Sequence, residues 1–222
     1  MSNRLLALGL ALVIAVGSLP AIEPANLSTL KQQVTSYVAT GEYGKEVAKV
    51  AAEANHYLVR RIPRGIPRSV KRATKLAVVF DIDETMLSNL RHIQANDYGY
   101  IPKIWNAWVS EGQATAIYPV QAVYTTVLNA KVDIFFITGR SPEGAAATER
   151  NLRQVGFETW TRIIYKPEDF SESARAFKID ARRQLAAEGY LIIANLGDQN
   201  SDLVGGYAER TFKLPNPFYR ID

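Results

Sequence analysis

At residues 75–85 the chain reads Lys75-Leu76-Ala77-Val78-Val79-Phe80-Asp81-Ile82-Asp83-Glu84-Thr85, an apolar run followed by two aspartates two positions apart. Such a run is typical of a strand that is buried on both faces of a parallel sheet. A carboxylate at the end of a buried strand is costly unless it is paired or binds a metal. Asp81 and Asp83 point the same way if the extended path continues. Taken alone, the pattern also fits a loop in which Asp83 or Thr85 caps a helix.

Three further patches follow in a fixed order. They are Thr138-Gly139-Arg140 after the apolar run 132–137, Lys178 in a charged segment, and Gly197-Asp198-Gln199-Asn200-Ser201-Asp202 after the apolar run 190–196. Each patch alone has a plain explanation: a strand-end turn, a solvated helix face, or a Gly-Asp turn that caps a short helix. Because the carboxyl ends of parallel strands share one edge of a sheet, the order predicts that these groups meet there.

The rest of the pattern alternates strands with helices, which predicts an α/β fold with a doubly wound parallel sheet. We expect strands at 76–82, 132–138, 161–165, 190–196 and near 210–214, with helices at 118–130, 142–155 and 171–187. Residues from about 27 to 58 have helical spacing, which Gly41 and Gly44 are expected to break into two helices. We divide the chain into an N-terminal helical region at 22–72 and a core at 73–222, with an insertion at 86–118 as a small cap.

The four patches resemble the motifs of the haloacid dehalogenase (HAD) superfamily. Within it they are similar to the secreted nonspecific acid phosphatases of bacteria and to plant acid phosphatases and vegetative storage proteins. The similarity extends from about residue 37 to the C terminus. Residues 81–89 resemble the extended first motif, and residues 189–203 form the most specific block. Residues 177–182 resemble a Tyr-Lys-Ser-x-x-Arg stretch, with Phe177 and Ile179 in place of Tyr and Ser.

The resemblance implies a phospho-aspartate mechanism on a HAD-like, Rossmann-type core. Asp81 would be the nucleophile. Asp83 would be the general acid that protonates the leaving alcohol and then the base that activates water. Thr138 and Gly139 would bind phosphate oxygens, and Lys178 would stabilise the transferring phosphoryl group.

The resemblance also implies a magnesium site. Its protein ligands would be the Asp81 carboxylate, the backbone carbonyl of Asp83 and the Asp198 carboxylate, a set of oxygens that suits this ion. Asp202 would hold a metal-bound water or the phosphoryl-binding lysine. Lys166, at the end of the strand-like segment 162–165, is an alternative candidate for that lysine.

The composition excludes several other chemistries. The chain has no cysteine, which excludes cysteine-dependent phosphatases, disulfides and thiolate metal sites. Arg91-His92-Ile93 lacks the glycine and the second arginine of a histidine phosphatase. The net charge is +4, and seven of the 26 lysine and arginine residues are concentrated at residues 60–75. That segment is interpreted as a solvated linker or as a surface for anionic lipid, nucleic acid or polyphosphate; we expect the linker and no nucleic-acid partner.

The N-terminal 21 residues have the layout of a signal peptide. Arg4 precedes a twelve-residue apolar run at 5–16, and small residues follow at 17–21. The run is too short for a typical membrane-spanning helix. We expect cleavage near Ala21, export to the periplasm or medium, and no stable membrane span afterwards; an uncleaved anchor is the alternative.

Together these features predict a secreted, magnesium-dependent acid phosphatase for small phosphomonoesters, nucleotides among them. An acidic optimum is expected because Asp83 must be protonated to assist the leaving group. A noncatalytic storage or binding protein on the same scaffold and a phosphotransferase are the alternatives. Four aromatic residues of the cap either stack on a flat leaving group or form the cap's own core: Tyr98, Tyr100, Trp105 and Trp108.

Overall fold

The computed structural model describes residues 23–70 and 73–222, so the predicted signal peptide at 1–21 lies outside the described residues. None of the described helices combines the length and apolar character needed to cross a bilayer. The elements, in chain order, are α1 (Leu27–Ala39), α2 (Glu42–Arg61), β1 (Lys75–Phe80), β2 (Leu87–Ser88), α3 (Leu90–Ala95), α4 (Pro102–Glu111), β3 (Thr115–Ala116), α5 (Tyr118–Asn129), β4 (Asp133–Thr138), α6 (Ala145–Gln154), β5 (Arg162–Tyr165), α7 (Ala174–Ala187), β6 (Tyr190–Gly197), α8 (Asn200–Leu203) and β7 (Thr211–Lys213).

The main sheet has five strands in the order β5-β4-β1-β6-β7. Each neighbouring pair is parallel. Successive strands are added outward on one side of β1 and then, from β6, on the other side. Ligands of doubly wound sheets bind at such a switch point, beyond the carboxyl ends of the strands. The predicted fold class is confirmed.

Strand β1 ends at Phe80 and not at the predicted residue 82. The Asp81 N–H still donates to a carbonyl of β6, but the Ile82 carbonyl then accepts the N–H groups of residues 85, 86 and 87. Glu84 has a φ of 52°, in the left-handed region. This tight turn replaces the extended path, so the period-two spacing of a strand does not apply to Asp81 and Asp83, although both line the cavity described below.

Helices cover both faces of the sheet. On one face α2 and α5 share a hydrophobic core with β1, and on the other face α7 packs against the alternate residues of β1. The N-terminal helical region is therefore part of the main core. The buried apolar face of α2 consists of Tyr43, Val47, Ala51, Ala54 and Leu58.

The break between α1 and α2 falls at Gly41, whose φ of 80° favours glycine. Gly44, which was expected to form this break together with Gly41, lies inside α2. Gly44 is the third residue of α2, and a glycine in a helix costs up to about 1 kcal/mol relative to alanine. Burial of a valine or leucine side chain contributes about 1.5–3 kcal/mol, so the buried face of α2 offsets this cost.

The insertion at 86–118 forms α3, α4 and a short antiparallel ladder. The ladder pairs Leu87 with Ala116 and Ser88 with Thr115, which closes the base of the insertion. Between these strands, residues 92–105 contribute to the wall of the cavity described below. The insertion therefore lies over the carboxyl ends of the strands; we refer to residues 86–118 as the cap.

The basic segment at residues 60–75, which begins in the last turn of α2, is only partly a solvated linker. Arg60 and Arg64 are exposed. Arg61, by contrast, is buried, and its Nε lies 2.6 Å from a carboxylate oxygen of Glu209. Arg61 thus joins the end of α2 to the segment before β7. Lys71 and Arg72 lie outside the described residues.

Candidate active site

The carboxyl ends of β1, β4 and β6 meet at a cavity of about 490 Å³. Its lining includes five of the predicted site residues: Asp81, Asp83, Gly139, Lys178 and Asp198. The sixth, Thr138, is fully buried at the end of β4. Its Oγ1 accepts a hydrogen bond from the Arg140 N–H at 3.1 Å, which shapes the turn around Gly139. The structure therefore brings the four sequence patches together at one edge of the sheet.

Helix α7, which Ser173 caps at its N terminus, places Lys178 in the centre of the site. Lys178 Nζ lies 2.5 Å from Asp81 Oδ1 and 2.5 Å from Asp202 Oδ1. Burial alone would lower the pKa of Lys178, but the two carboxylates raise it above its ordinary value, so the lysine is charged. Lys178, and not Lys166, is the lysine that pairs with Asp81.

Arg182, one turn further along α7, fixes the loop that follows β6. Its guanidinium donates to the backbone carbonyls of Asp202 at 2.5 Å, of Val204, and of Gly206 at 3.1 Å. Burial lowers the pKa of Arg182 to about 10. By holding this loop, Arg182 fixes the position of Asp202 and, through it, the ammonium of Lys178.

Three buried carboxylates gather beside Lys178. One oxygen each of Asp81, Asp198 and Asp202 lies within 4.8 Å of the others. Burial, and next the charge of Asp202, raises the pKa of Asp198 to about 7. Burial also raises the pKa of Asp81, an effect that Lys178 partly offsets. One ammonium against three carboxylates leaves an excess of negative charge in an all-oxygen group, which suits a hard divalent cation.

The C-terminal segment, which the sequence did not predict to reach the site, holds Asp198 from one side. Asp198 Oδ2 accepts hydrogen bonds from Asn216 Nδ2 and Gln199 Nε2, both at 2.6 Å. Asp198 Oδ1 lies 3.3 Å from Thr85 Oγ1. Tyr219 lines the same cavity. No helical or strand period marks residues 215–222, so the sequence pattern held no signal for this wall.

Arg140 is a second residue that the sequence did not assign, although it belongs to the Thr-Gly-Arg patch. Its guanidinium donates to the Asp83 carboxylate, with Nη2 at 2.7 Å from Oδ1 and Nε at 3.1 Å from each oxygen. Nη1 donates to Thr148 Oγ1 at 3.0 Å. The side chain of Asp83 is therefore paired with Arg140 at the wall of the same cavity, and it is not one of the three carboxylates beside Lys178.

The aromatic residues of the cap divide into two groups. Tyr98, Tyr100 and Trp105 line the cavity, and Tyr100 is 71% exposed. Trp108 instead belongs to the packing of the cap: its ring stacks on His92, with the centroids 5.3 Å apart. Tyr98 combines both roles, because it lines the cavity and its ring also stacks on Phe218, with the centroids 6.4 Å apart.

These residues can be compared with those of known proteins. The model of the HAD superfamily, subfamily IIIB (Acid phosphatase), matches residues 18–222. The chain belongs to this family. It is 33% identical over 212 residues to acid phosphatase 1 of Solanum lycopersicum, an alignment that covers 90% of this chain and 80% of that protein. The predicted resemblance is confirmed.

Two other relatives align with only part of this subfamily IIIB chain. The chain is 39% identical over 150 residues to the stem 28 kDa glycoprotein of Glycine max, and this alignment covers 64% of the chain and 59% of that protein. It is 32% identical over 147 residues to vegetative storage protein 1 of Arabidopsis thaliana, covering 64% of this chain and 54% of that protein. The chain thus spans little more than half the length of these two relatives.

A solved structure supports the fold of the subfamily IIIB chain. The class C acid phosphatase from Bacillus anthracis matches with a TM-score of 0.70 at 24% identity, and the match covers 87% of each chain. A structure of that enzyme with tungstate bound matches with a TM-score of 0.71 at 23% identity and the same coverage. Both likenesses agree with the doubly wound sheet described above.

Proposed function

We propose that the chain is an exported, magnesium-dependent acid phosphatase that hydrolyses small phosphomonoesters through a phospho-aspartate on Asp81. The observation that carries the proposal is the buried ion pair between Asp81 and Lys178, beside Asp198 at the switch point of the sheet. Membership of subfamily IIIB supports phosphatase chemistry. The signal-like segment 1–21 supports export to the periplasm or medium, which N-terminal sequencing of the mature protein tests.

In the first step, Asp81 attacks the phosphorus atom through Oδ2, because Oδ1 is bound to Lys178 Nζ. A bond forms between this oxygen and phosphorus, and the bond from phosphorus to the leaving oxygen breaks with its electron pair on that oxygen. Asp83 donates the proton that the leaving oxygen takes up. The ammonium of Lys178 offsets the negative charge of the phosphoryl oxygens.

In the second step, water attacks the phosphorus atom of phospho-Asp81. Asp83, now ionised, accepts a proton from this water. The bond between phosphorus and the aspartyl oxygen breaks, which restores the carboxylate and releases inorganic phosphate. Gly139 faces the cavity and carries no side chain that would keep phosphoryl oxygens from the backbone N–H groups of this turn.

The buried carboxylates fit a magnesium ion because they supply only oxygen atoms and carry excess negative charge. Asp81, Asp198 and the backbone carbonyl of Asp83 would hold it, while Asp202 stays on Lys178. When bound, the ion neutralises charge on the carboxylates and on the substrate phosphate. The residues described above bind and orient the substrate and exchange protons with it.

Hydrolysis of p-nitrophenyl phosphate in mildly acidic buffer tests the proposal. We expect turnover with magnesium, a fall of at least about 10²-fold after chelation, and recovery when magnesium is restored. With an alkyl ester such as n-butyl phosphate, whose leaving oxygen needs a proton, the rate is expected to peak at acidic pH because Asp83 must hold that proton in the first step. A pH–rate profile that peaks above about 8 contradicts this role of Asp83.

The same assay separates the alternatives. An absence of turnover across several metals and substrates favours a noncatalytic storage role, which the similarity to vegetative storage protein 1 makes a specific candidate. Transfer of the phosphoryl group to an added alcohol, with less release of inorganic phosphate, identifies a phosphotransferase.

The cavity predicts a broad substrate range with a mild preference for flat leaving groups. Tyr98, Tyr100 and Trp105 offer aromatic surfaces at its wall, and an aromatic contact contributes about 0.5–1.5 kcal/mol. We therefore expect nucleoside monophosphates and aryl phosphates to exceed simple alkyl phosphates in kcat/KM by up to about tenfold through stacking. A panel of phosphomonoesters measures this, and efficient turnover of a single ester contradicts it.

A further inference from the structure

One buried amide joins the proposed acid–base residue to the cap. Asn89 is fully buried immediately before α3. Its Nδ2 donates to Asp83 Oδ1 at 2.8 Å and to Glu84 Oε2 at 3.1 Å. Its Oδ1 accepts the Nε1–H of Trp108, in α4, at 2.8 Å. Both polar atoms of the amide are therefore used, one toward the cap and the other toward the turn after β1.

The chemistry of the partners fixes the orientation of this amide. Trp108 Nε1 can only donate, so the carbonyl oxygen of Asn89 faces it and Nδ2 faces the two carboxylates. Glu84 also accepts the backbone N–H of Asn89 at 2.5 Å, and the Tyr219 hydroxyl donates to Glu84 Oε2 at 2.8 Å. A rotated amide would lose its three side-chain hydrogen bonds, so the side chain has one favourable position.

We propose that Asn89 is a positioning residue: it orients the Asp83 carboxylate toward the leaving group and couples that orientation to helix α4. The inference rests on the proposed role of Asp83. Asp83 Oδ1 accepts from Asn89 Nδ2 and from Arg140 Nη2 and Nε. Among the described residues, Oδ2 accepts only from Arg140 Nε, at 3.1 Å. Oδ1 is thus held from two sides, and Oδ2 is the oxygen that remains to meet the leaving group.

Removal of Asn89 leaves the Asp83 carboxylate held from the Arg140 side alone. The first step then loses alignment of its general acid, which matters only when the leaving oxygen needs a proton. An alkoxide needs one, whereas 2,4-dinitrophenolate leaves without it. A change that merely weakens the fold affects both kinds of ester alike, so the ratio of their kcat/KM values reports positioning.

The experiment compares n-butyl phosphate with 2,4-dinitrophenyl phosphate in the full chain and in Asn89→Ala. We expect kcat/KM for the alkyl ester to fall at least about tenfold more than kcat/KM for the activated aryl ester, as a part of the 10²–10⁴-fold that general acid catalysis contributes. Equal losses on both esters overturn the inference while leaving the phosphatase proposal intact. If the parent chain hydrolyses neither ester, the phosphatase proposal fails first.

Two further variants keep the test decisive. Asn151→Ala is the matched control: Asn151 is also buried and also bonds through both amide atoms, to the backbone of Ala114, but it does not contact Asp83. It is expected to lower thermal stability and leave the ratio unchanged. Trp108→Phe removes the Nε1–H that orients Asn89 and part of the ring that stacks on His92, but leaves Asn89 in place, so it is expected to shift the ratio in the same direction by a smaller factor. If Asn89→Ala does not fold, an unchanged ratio in Trp108→Phe overturns the proposal.

Discussion

Asp81→Asn is expected to lower kcat for aryl phosphate hydrolysis by a factor of at least about 10⁴ and to leave the fold in place. The amide cannot act as the anionic nucleophile that forms the covalent intermediate. It keeps the shape of the side chain, and Lys178 keeps its partner Asp202, 2.5 Å away. The buried ammonium is therefore not left without a counter-charge. Steady-state kinetics with magnesium and circular dichroism measure the two expectations.

Asp133→Asn provides the matched control, because Asp133 lies at the end of β4 that is remote from the site. Asp133 begins β4 and accepts a hydrogen bond from Thr161 Oγ1 at 2.7 Å, away from the cavity. We expect its kcat to stay within about twofold of the parent value. After an acid quench, mass spectrometry is expected to find covalent phosphate on the parent and none on Asp81→Asn. Covalent phosphate on that variant, or more than about one per cent of the parent kcat, identifies another nucleophile.

The meeting of Asp81, Lys178 and Asp198 could be predicted from the sequence because it follows from topology. Strands buried on both faces have nearly continuous apolar sequences, which made β1, β4 and β6 recognisable. Their carboxyl ends share one edge of the sheet, so residues that follow the runs must lie near one another. The lysine was predicted from its order in the chain and from its motif, and α7 brings it to Asp81.

The surroundings of Asp83 could not be predicted in this way. Its pairing with Arg140 depends on the turn in which the Ile82 carbonyl accepts three N–H groups, and that turn ends the extended path early. Asn216 likewise reaches Asp198 from an irregular segment that has no period to read. Gly44 is a further feature that local sequence did not predict correctly. Glycine disfavours a helix, but burial of the neighbouring α2 side chains outweighs this preference.

Asp198→Asn is expected to lower activity and to stabilise the metal-free protein. Asp198 is 1% exposed, and burial, followed by the charge of Asp202, raises its pKa to about 7. The asparagine oxygen can accept the hydrogen bonds of Gln199 and Asn216, and its NH₂ group can donate to Thr85 Oγ1. The change removes a buried charge and keeps the hydrogen bonds, but it also removes a proposed magnesium ligand. We expect kcat to fall by at least about 10²-fold.

The gain in stability from Asp198→Asn is expected to increase with pH, because the pKa of Asp198 is raised in the folded chain. The pKa of Asp198 is about 7 in the folded chain against an ordinary value of 3.8, so the folded state binds the proton more tightly than the unfolded state. The cost of ionising Asp198 is therefore absent below about pH 4 and complete above about pH 7, with an upper bound of about 4 kcal/mol. In the presence of a chelator, urea unfolding is expected to show the variant about 2–4 kcal/mol more stable than the parent at pH 8, and more stable by at most about 1 kcal/mol at pH 4.5.

Asp202→Asn makes the same chemical change four residues further along the chain, but it is expected to lower the stability of the metal-free protein instead of raising it. Asp202 pairs with Lys178 and accepts the Gln199 N–H at 2.7 Å, so the variant loses an ion pair in the site. It is expected to be less stable than the parent at pH 8.

Magnesium tests the role of Asp198 as a metal ligand, because the ion is expected to raise the Tm of the parent and not that of Asp198→Asn. The charge of Asp198 that destabilises the metal-free protein is also the charge that attracts the cation. The assignment of Asp198 as a magnesium ligand is therefore contradicted if magnesium raises the Tm of the parent and of Asp198→Asn equally. It is also contradicted if metal-free Asp198→Asn is less stable than the parent at pH 8.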